Sequence, residues 1–182
     1  MVKTTELKKI AENERIIVEY YDFGGIHQGV YIRDNELNII GIDTNLTPTE
    51  ERCVLAEEIG HHFTLPMGMD LRESHRYGIL KKRILYETLA REYAAQLLIP
   101  QNQWEKTIAK KDVTVEEIMT TYDVTREMVY YRLDIHFRGR IVLDSKKYMC
   151  EIPEDRYEEE LNILEAWLSG CEEQVSPMIQ VA

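Results

Sequence analysis

Two adjacent glutamates and a histidine, Glu57, Glu58 and His61, form the pattern in this chain with the clearest chemical meaning. Residues four positions apart lie on the same face of a helix, so the Glu57 carboxylate and the His61 imidazole could bind one metal ion. The pattern is one residue away from H-E-x-x-H, in which two histidines bind zinc and the glutamate acts as a general base. Carboxylate oxygen is also a zinc ligand. The spacing therefore predicts Glu57 and His61 as metal ligands and Glu58 as the base.

A further carboxylate is expected to face inward from a second helix. Residues 79–98 carry apolar side chains at helical spacing, and Pro100 follows them. Glu87 lies early in this segment, among apolar residues such as Leu85 and Leu89. A buried carboxylate costs free energy unless it is paired, hydrogen-bonded or bound to metal. The sequence therefore predicts that the Glu87 carboxylate is paired, hydrogen-bonded or bound to a metal ion.

Simpler roles explain the other candidate ligands. His62 points about 100° away from His61 around a helix axis, so we interpret it as a side chain at the edge of the core. His75 is a lone histidine in a connecting segment. Cys53 shares a helix face with Glu57, but a small buried residue is its expected role. Two adjacent glutamates are also common on solvated helices, so the pattern alone is weak evidence for a metal.

Composition and charge limit the class of protein. A chain of 182 residues with 44% hydrophobic content suits one folded domain, with room for a small addition. Its three scattered cysteines form neither a disulfide framework nor a C-x-x-C zinc site. No apolar run is long enough to span a bilayer, and we expect a cytoplasmic protein. The net charge of −11 argues against nucleic-acid binding and suits a basic protein partner.

The segments around the pattern predict an α+β fold. Residues 3–13 are expected to form a helix and residues 16–20 a strand, and two more strands flank a polar turn at residues 33–36. These strands predict a small antiparallel sheet. A T-x-x-E capping box at residues 47–50 begins the motif helix. Gly60 lowers helix propensity in the middle of that helix, so it predicts a close approach of another backbone or of the metal site.

With these elements placed, three stretches of the chain resemble the ImmA/IrrE family of metallo-endopeptidases, in its phage- and mobile-element-associated branch. The first is the strand and turn of residues 39–48, and the second is the helix of residues 52–64. The third, residues 86–100, is similar to the family's helix E-x-x-A-x-x-(F/W)-A-x-x-L-(L/I)-x-P, with Arg91 in place of a frequent asparagine. The resemblance covers residues 25–137.

This resemblance implies a zinc-dependent endopeptidase in which Glu87 completes the metal site with Glu57 and His61. Glu58 would then be the catalytic base that activates water for attack on a peptide bond. The substrate or binding partner would be a helix-turn-helix repressor of a phage or mobile element. No cofactor besides the metal is expected, and no membrane partner.

The implied fold is a small antiparallel sheet packed with a zincin-like helical core. We assign residues 1–112 to this zincin-like peptidase domain and residues 113–182 to a helical C-terminal region. That region is predicted to contain a helix-turn-helix-like pair over residues 114–137 and an acidic helix after residue 152. Direct DNA binding by the pair is disfavoured, because it offers few basic residues.

The glutamate at position 57 leaves two hypotheses open. Two histidines and one glutamate on a dication leave a net charge of about +1, whereas a Glu-His-Glu set neutralises the ion. We therefore expect weaker catalysis, or a preference for a harder ion such as manganese. The alternative is a catalytically degenerate zincin-like protein that binds a transcription regulator without cleaving it. The choice between the two hypotheses depends on whether Glu57 is a true metal ligand.

Overall fold

The computed structural model describes residues 2–34, 37–65 and 77–138. These residues form six helices and three strands, which confirms the predicted α+β fold class. The helices are α1 (Thr4–Asn13), α2 (Pro48–Thr64), α3 (Tyr77–Leu98), α4 (Gln101–Ile108), α5 (Val115–Tyr122) and α6 (Arg126–Arg138), and the strands are β1 (Ile16–Tyr21), β2 (Gly29–Asp34) and β3 (Leu37–Asp43). His75 and the predicted acidic C-terminal helix lie outside the described residues.

The three strands form a mixed sheet in the order β1-β3-β2. β2 and β3 are antiparallel, as the hairpin pattern predicts, but β1 pairs with β3 in parallel. The sheet is thus not wholly antiparallel. The reason lies in the segment of residues 22–28, where Gly24 and Gly25 adopt φ values of 61° and 78°. This segment carries the chain past the end of β3 to the far edge of the sheet, so β3 inserts between two strands that precede it.

The motif helix α2 begins with the predicted capping box. The Thr47 hydroxyl accepts a hydrogen bond from the Glu50 backbone N–H, and the Glu50 carboxylate accepts one from the Thr47 N–H at 2.8 Å. Pro48 occupies the first helical turn, where its missing N–H costs nothing. These local bonds determine where α2 starts.

The α2 and α3 backbones approach each other closely at Gly60. A methyl group placed on Gly60 would lie 2.4 Å from the carbonyl oxygen of Ala90 in α3, a separation at which the backbones must move apart. The prediction that Gly60 marks a close backbone approach is confirmed. The free energy gained by this packing offsets the helix propensity lost at glycine.

The α5–α6 pair packs on the same core as the sheet and α2. One cluster of buried apolar residues joins them, including Leu7, Ile40, Leu55, Ala94, Trp104, Ile118, Val129 and Ile135. The buried Arg52 of α2 donates a hydrogen bond of 2.7 Å to the Tyr122 carbonyl, which anchors the turn between α5 and α6. The division of the chain at residue 112 stays a prediction. Within the described residues, no helix is both long and apolar enough to cross a bilayer.

We predict that Gly60→Ala destabilises the protein by about 1–3 kcal/mol, the usual range for overpacking a close contact. The expected sign is opposite to that of intrinsic helix propensity, which favours alanine by up to about 1 kcal/mol. Urea unfolding followed by circular dichroism measures the difference. A variant as stable as the wild type would show that the helices do not depend on this contact.

Candidate metal centre

Three donor side chains converge where α2 and α3 cross. Glu57 and His61 come from α2 and Glu87 from α3, and one potential ligand atom of each lies within 4.8 Å of the others. His61 is buried, whereas the two glutamates are partly exposed. Gly60 precedes His61 directly, and its contact Ala90 follows Glu87 by less than one helical turn. The close crossing therefore brings the two halves of the cluster within reach of one ion.

Arg91 lies among these donors, and no role was predicted for it from the sequence. Its Nε donates a hydrogen bond of 2.9 Å to Oε1 of Glu57, and its Nη2 lies 3.7 Å from Oε2 of Glu87. The Glu87 pair has the helical i,i+4 spacing, which was the one signal available in the sequence. The Glu57 pair joins two helices and depends on the tertiary structure.

The imidazole of His61 lies within the negative field of the glutamates. Its Nε2 is 3.5 Å from Oε2 of Glu87, and its buried Nδ1 has no hydrogen-bond partner among the described residues. Burial lowers the pKa of His61. The bond to Glu87 and the charges of Glu58, Glu87 and Glu57 raise this pKa by more than burial lowers it, so the net shift is upward. This environment attracts a cation, either a proton or a metal ion.

Glu58 is the most deeply buried carboxylate of the group. Burial, together with the nearby charges of Glu57 and Glu87, raises its pKa from 4.5 to about 8, although His61 and Arg91 act in the opposite direction. Gly29 of β2 provides the space for this side chain. A methyl group on Gly29 would lie 2.7 Å from Oε1 of Glu58 and 2.4 Å from the Val54 side chain. Gly29 has no signal in the sequence that would have identified it.

The cluster opens into a cavity of about 560 Å³ between the sheet and the two helices. One wall consists of β2 and the residues before it, from Ile26 to Tyr31. The opposite wall is the charged cluster itself, with Glu57, Glu58 and His61 from α2 and Glu87 and Arg91 from α3. The donor groups are thus accessible to a molecule larger than water.

Two other sequence candidates, His62 and Cys53, are not part of the cavity lining. His62 faces the sheet, where its Nδ1 is 2.9 Å from the Tyr31 hydroxyl and its Nε2 is 3.7 Å from Oε2 of Glu14. Cys53 is buried, and its sulfur accepts a hydrogen bond from the Thr125 N–H at 3.4 Å. Both side chains have contacts that account for their positions without a metal.

The fold and the cluster together define an α+β domain with a candidate metal site. A family model described as Peptidase M78, IrrE N-terminal-like domain, matches residues 11–134, which is more than half of the chain. The chain belongs to this family, and the resemblance to the ImmA/IrrE proteins is confirmed. Membership of the phage-associated branch stays a prediction. A search of curated proteins found no match to this chain.

The residues of the cluster fit the metal ion that a metallopeptidase family implies. Two carboxylates and an imidazole are an ordinary donor set for zinc, and carboxylates also suit manganese. The groups are close enough to share one ion and lie on the wall of an open cavity. The carboxylates of Glu87, Glu58 and Glu57 also raise the pKa of His61, which is the direction expected where nearby charges favour a cation. The identity of the metal is not determined by these features.

We predict that the metal-free protein loses stability as the pH rises from 5 to 8. The pKa of Glu58 is about 8 in the folded protein and near 4.5 in an unfolded chain, so the folded state binds the proton more tightly. The free energy of unfolding must then fall across this range. The raised pKa of His61 acts in the same direction, since its stabilising charge is lost as the pH rises.

Glu58→Gln removes the first of these titrations, so its unfolding free energy should depend less on pH than that of the wild type. Between pH 5 and pH 8, the wild type should lose on the order of a few kcal/mol more unfolding free energy than Glu58→Gln does. Urea unfolding in the presence of a chelator measures it. Glu12→Gln, an exposed change on α1, is the matched control and should keep the wild-type slope. Identical slopes for all three proteins would contradict the assignment.

Proposed function

We propose that the protein is a metal-dependent endopeptidase, with Glu57, His61 and Glu87 as the metal ligands and Glu58 as the general base. The observation that carries this proposal is the convergence of three donor groups beside a buried carboxylate of raised pKa on one cavity wall. Burial of a carboxylate without a salt-bridge partner costs free energy, and such groups are concentrated in active sites. Membership of a peptidase family supports the same reaction class.

The roles of the protein groups follow from their chemistry. A metal bound by the three donors supplies a Lewis acid, which polarises a carbonyl group and makes water more acidic. Glu58 takes a proton from the attacking water and later delivers it to the nitrogen of the departing amine. A pKa raised to about 8 suits the second of these roles, in which Glu58 holds the proton until the amine departs. Gly29 keeps β2 close to this carboxylate, which limits the access of bulk water.

The edge of the sheet supports a peptide as the substrate. β2 lines the cavity and is an edge strand of the sheet that the described residues form. An extended peptide can bind such an edge through backbone hydrogen bonds and so form an additional strand. A peptide bound there would run across the cavity wall that carries Glu58 and the three donors.

As the natural substrate we propose a helix-turn-helix repressor of a phage or mobile element, for which the family resemblance is the main support. The charge of the chain is consistent with it. A repressor needs a basic face to bind DNA phosphates, and this protein carries a net charge of −11. Complementary charges would accelerate the encounter of the two proteins, with a rate that falls as salt is added.

One observation favours the alternative of a binding protein without catalysis. Arg91 pairs with both Glu57 and Glu87, so a positive charge already compensates two of the candidate ligands. A degenerate site could use such pairs to hold its carboxylates without a metal. This hypothesis predicts a protein that binds its repressor, binds no metal and yields no cleavage product.

We predict that the protein purified without chelator contains about one zinc or manganese ion per chain, as a single three-donor site requires. His61→Ala and Glu87→Ala should each lose the metal, because two donors bind a dication too weakly to retain it. Glu58→Gln should keep the metal and lose cleavage of the proposed repressor substrate, by about two to four orders of magnitude. Inductively coupled plasma mass spectrometry measures the metal, and gel electrophoresis the cleavage.

The same proteins distinguish the two functions. A folded wild type without metal, even after supplementation with zinc and manganese, would exclude the peptidase. Repressor binding that persists in Glu58→Gln while cleavage is absent in both proteins would instead support the non-catalytic alternative. Circular dichroism of each variant establishes that loss of metal does not reflect loss of the fold.

A further inference from the structure

We propose that Arg91 is a charge-compensating residue of the metal centre, which keeps the loaded site positively charged although Glu57 occupies a ligand position. The inference rests on the proposed function, because it concerns a bound dication. It assigns to Arg91 an effect through Glu57 and Glu87 rather than a contact with substrate. Arg91 would thus weaken metal binding and at the same time strengthen the electrophilic character of the metal.

The contacts of Arg91 use the whole guanidinium group. Nε binds Oε1 of Glu57 at 2.9 Å, Nη2 lies 3.7 Å from Oε2 of Glu87, and Nη1 donates to the Tyr131 hydroxyl at 3.3 Å. The guanidinium also lies over the Tyr131 ring, 5.9 Å from its centroid. Three elements, α2, α3 and α6, therefore hold this charge in one place. A surface arginine that fluctuates in solvent would have no such set of partners.

The contacts of Arg91 change the net charge of a metal ion bound by the three donors. Two carboxylates and a neutral imidazole carry two negative charges, so a bound dication brings their sum to zero. Arg91 restores a net charge of +1 to the ion and its three donors, the value that two histidines and one glutamate would leave, with Glu58 outside both sums. A more positive site withdraws more electron density from a bound carbonyl oxygen or water. Arg91 thus compensates for the histidine that is absent at position 57.

Compensation need not remove Glu57 from the ligand set. A carboxylate has two oxygens, and Arg91 binds Glu57 through Oε1. Ligating carboxylates commonly accept hydrogen bonds from outer groups, which orient them toward the metal. The pair with Arg91 is therefore compatible with Glu57 as a ligand through its other oxygen, and the guanidinium would set the orientation of that oxygen.

The proposal predicts opposite effects on metal affinity and on activity when the charge is removed. Arg91→Gln and Arg91→Met should bind Zn²⁺ more tightly than the wild type, by about tenfold or more, because a positive charge next to the dication is lost. Arg91→Lys keeps the positive charge, although not the forked contacts, and its Zn²⁺ affinity should lie closer to that of the wild type than the affinity of either uncharged variant does. Competition with a chromophoric chelator measures the dissociation constant of Zn²⁺ for each protein.

Arg126→Gln is the matched control. Arg126 of α6 also pairs with a glutamate, Glu116, at 2.7 Å, but both side chains are exposed and absent from the cavity lining. This variant should bind Zn²⁺ as the wild type does. Cleavage by the two uncharged Arg91 variants, measured at saturating Zn²⁺, should fall despite their tighter metal binding. A merely structural role would weaken affinity and activity together.

The outcomes separate this inference from the function on which it rests. Zn²⁺ binding by the wild type, with unchanged or weaker binding by both uncharged variants, would overturn the role of Arg91 and leave the peptidase standing. Binding by Arg91→Lys as tight as that of the uncharged variants would also overturn it, because that variant retains the charge. Absence of Zn²⁺ binding in the folded wild type would overturn the inference and the proposed function together.

Discussion

The close crossing of α2 and α3 is the constraint on which the candidate site depends. Gly60 has no side chain, so α2 can approach the backbone of Ala90 to a distance that any other residue would prevent. His61 follows Gly60 in the chain, and Glu87 lies about one turn before Ala90 on the facing helix. A wider crossing would separate these donors. The packing that stabilises the core therefore also sets the size of the site.

The site concentrates negative charge, and the surrounding structure determines how that charge is balanced. Glu57 and Glu87 face the cavity, while Glu58 is buried beside them with a pKa raised by burial and by its neighbours. Arg91 provides compensating positive charge, and the same carboxylates raise the pKa of His61. A bound dication would add to a compensation of the carboxylate charges that the protein already provides in part. The same balance explains why a glutamate at position 57 is compatible with the fold.

Several features of the fold and site were predictable because their causes are local. The capping box at Thr47 marks the start of α2, and four-residue spacing places Glu57 and His61 on one face of this helix. The mid-helix Gly60 correctly indicated a close backbone contact. The parallel pairing of β1 with β3 was not predictable in this way, because neighbouring strands in the chain most readily suggest antiparallel hairpins.

By itself, the sequence determined the helices, the hairpin and the residue types available to bind a metal, since turn chemistry, capping and periodicity act over a few neighbouring residues. Only the tertiary structure decided which side chains meet. It placed Arg91 against Glu57 and opened space for Glu58 at Gly29, two contacts between residues far apart in the chain. Such contacts depend on how helices and strands pack against one another, and patterns that extend over a few neighbouring residues do not determine that packing.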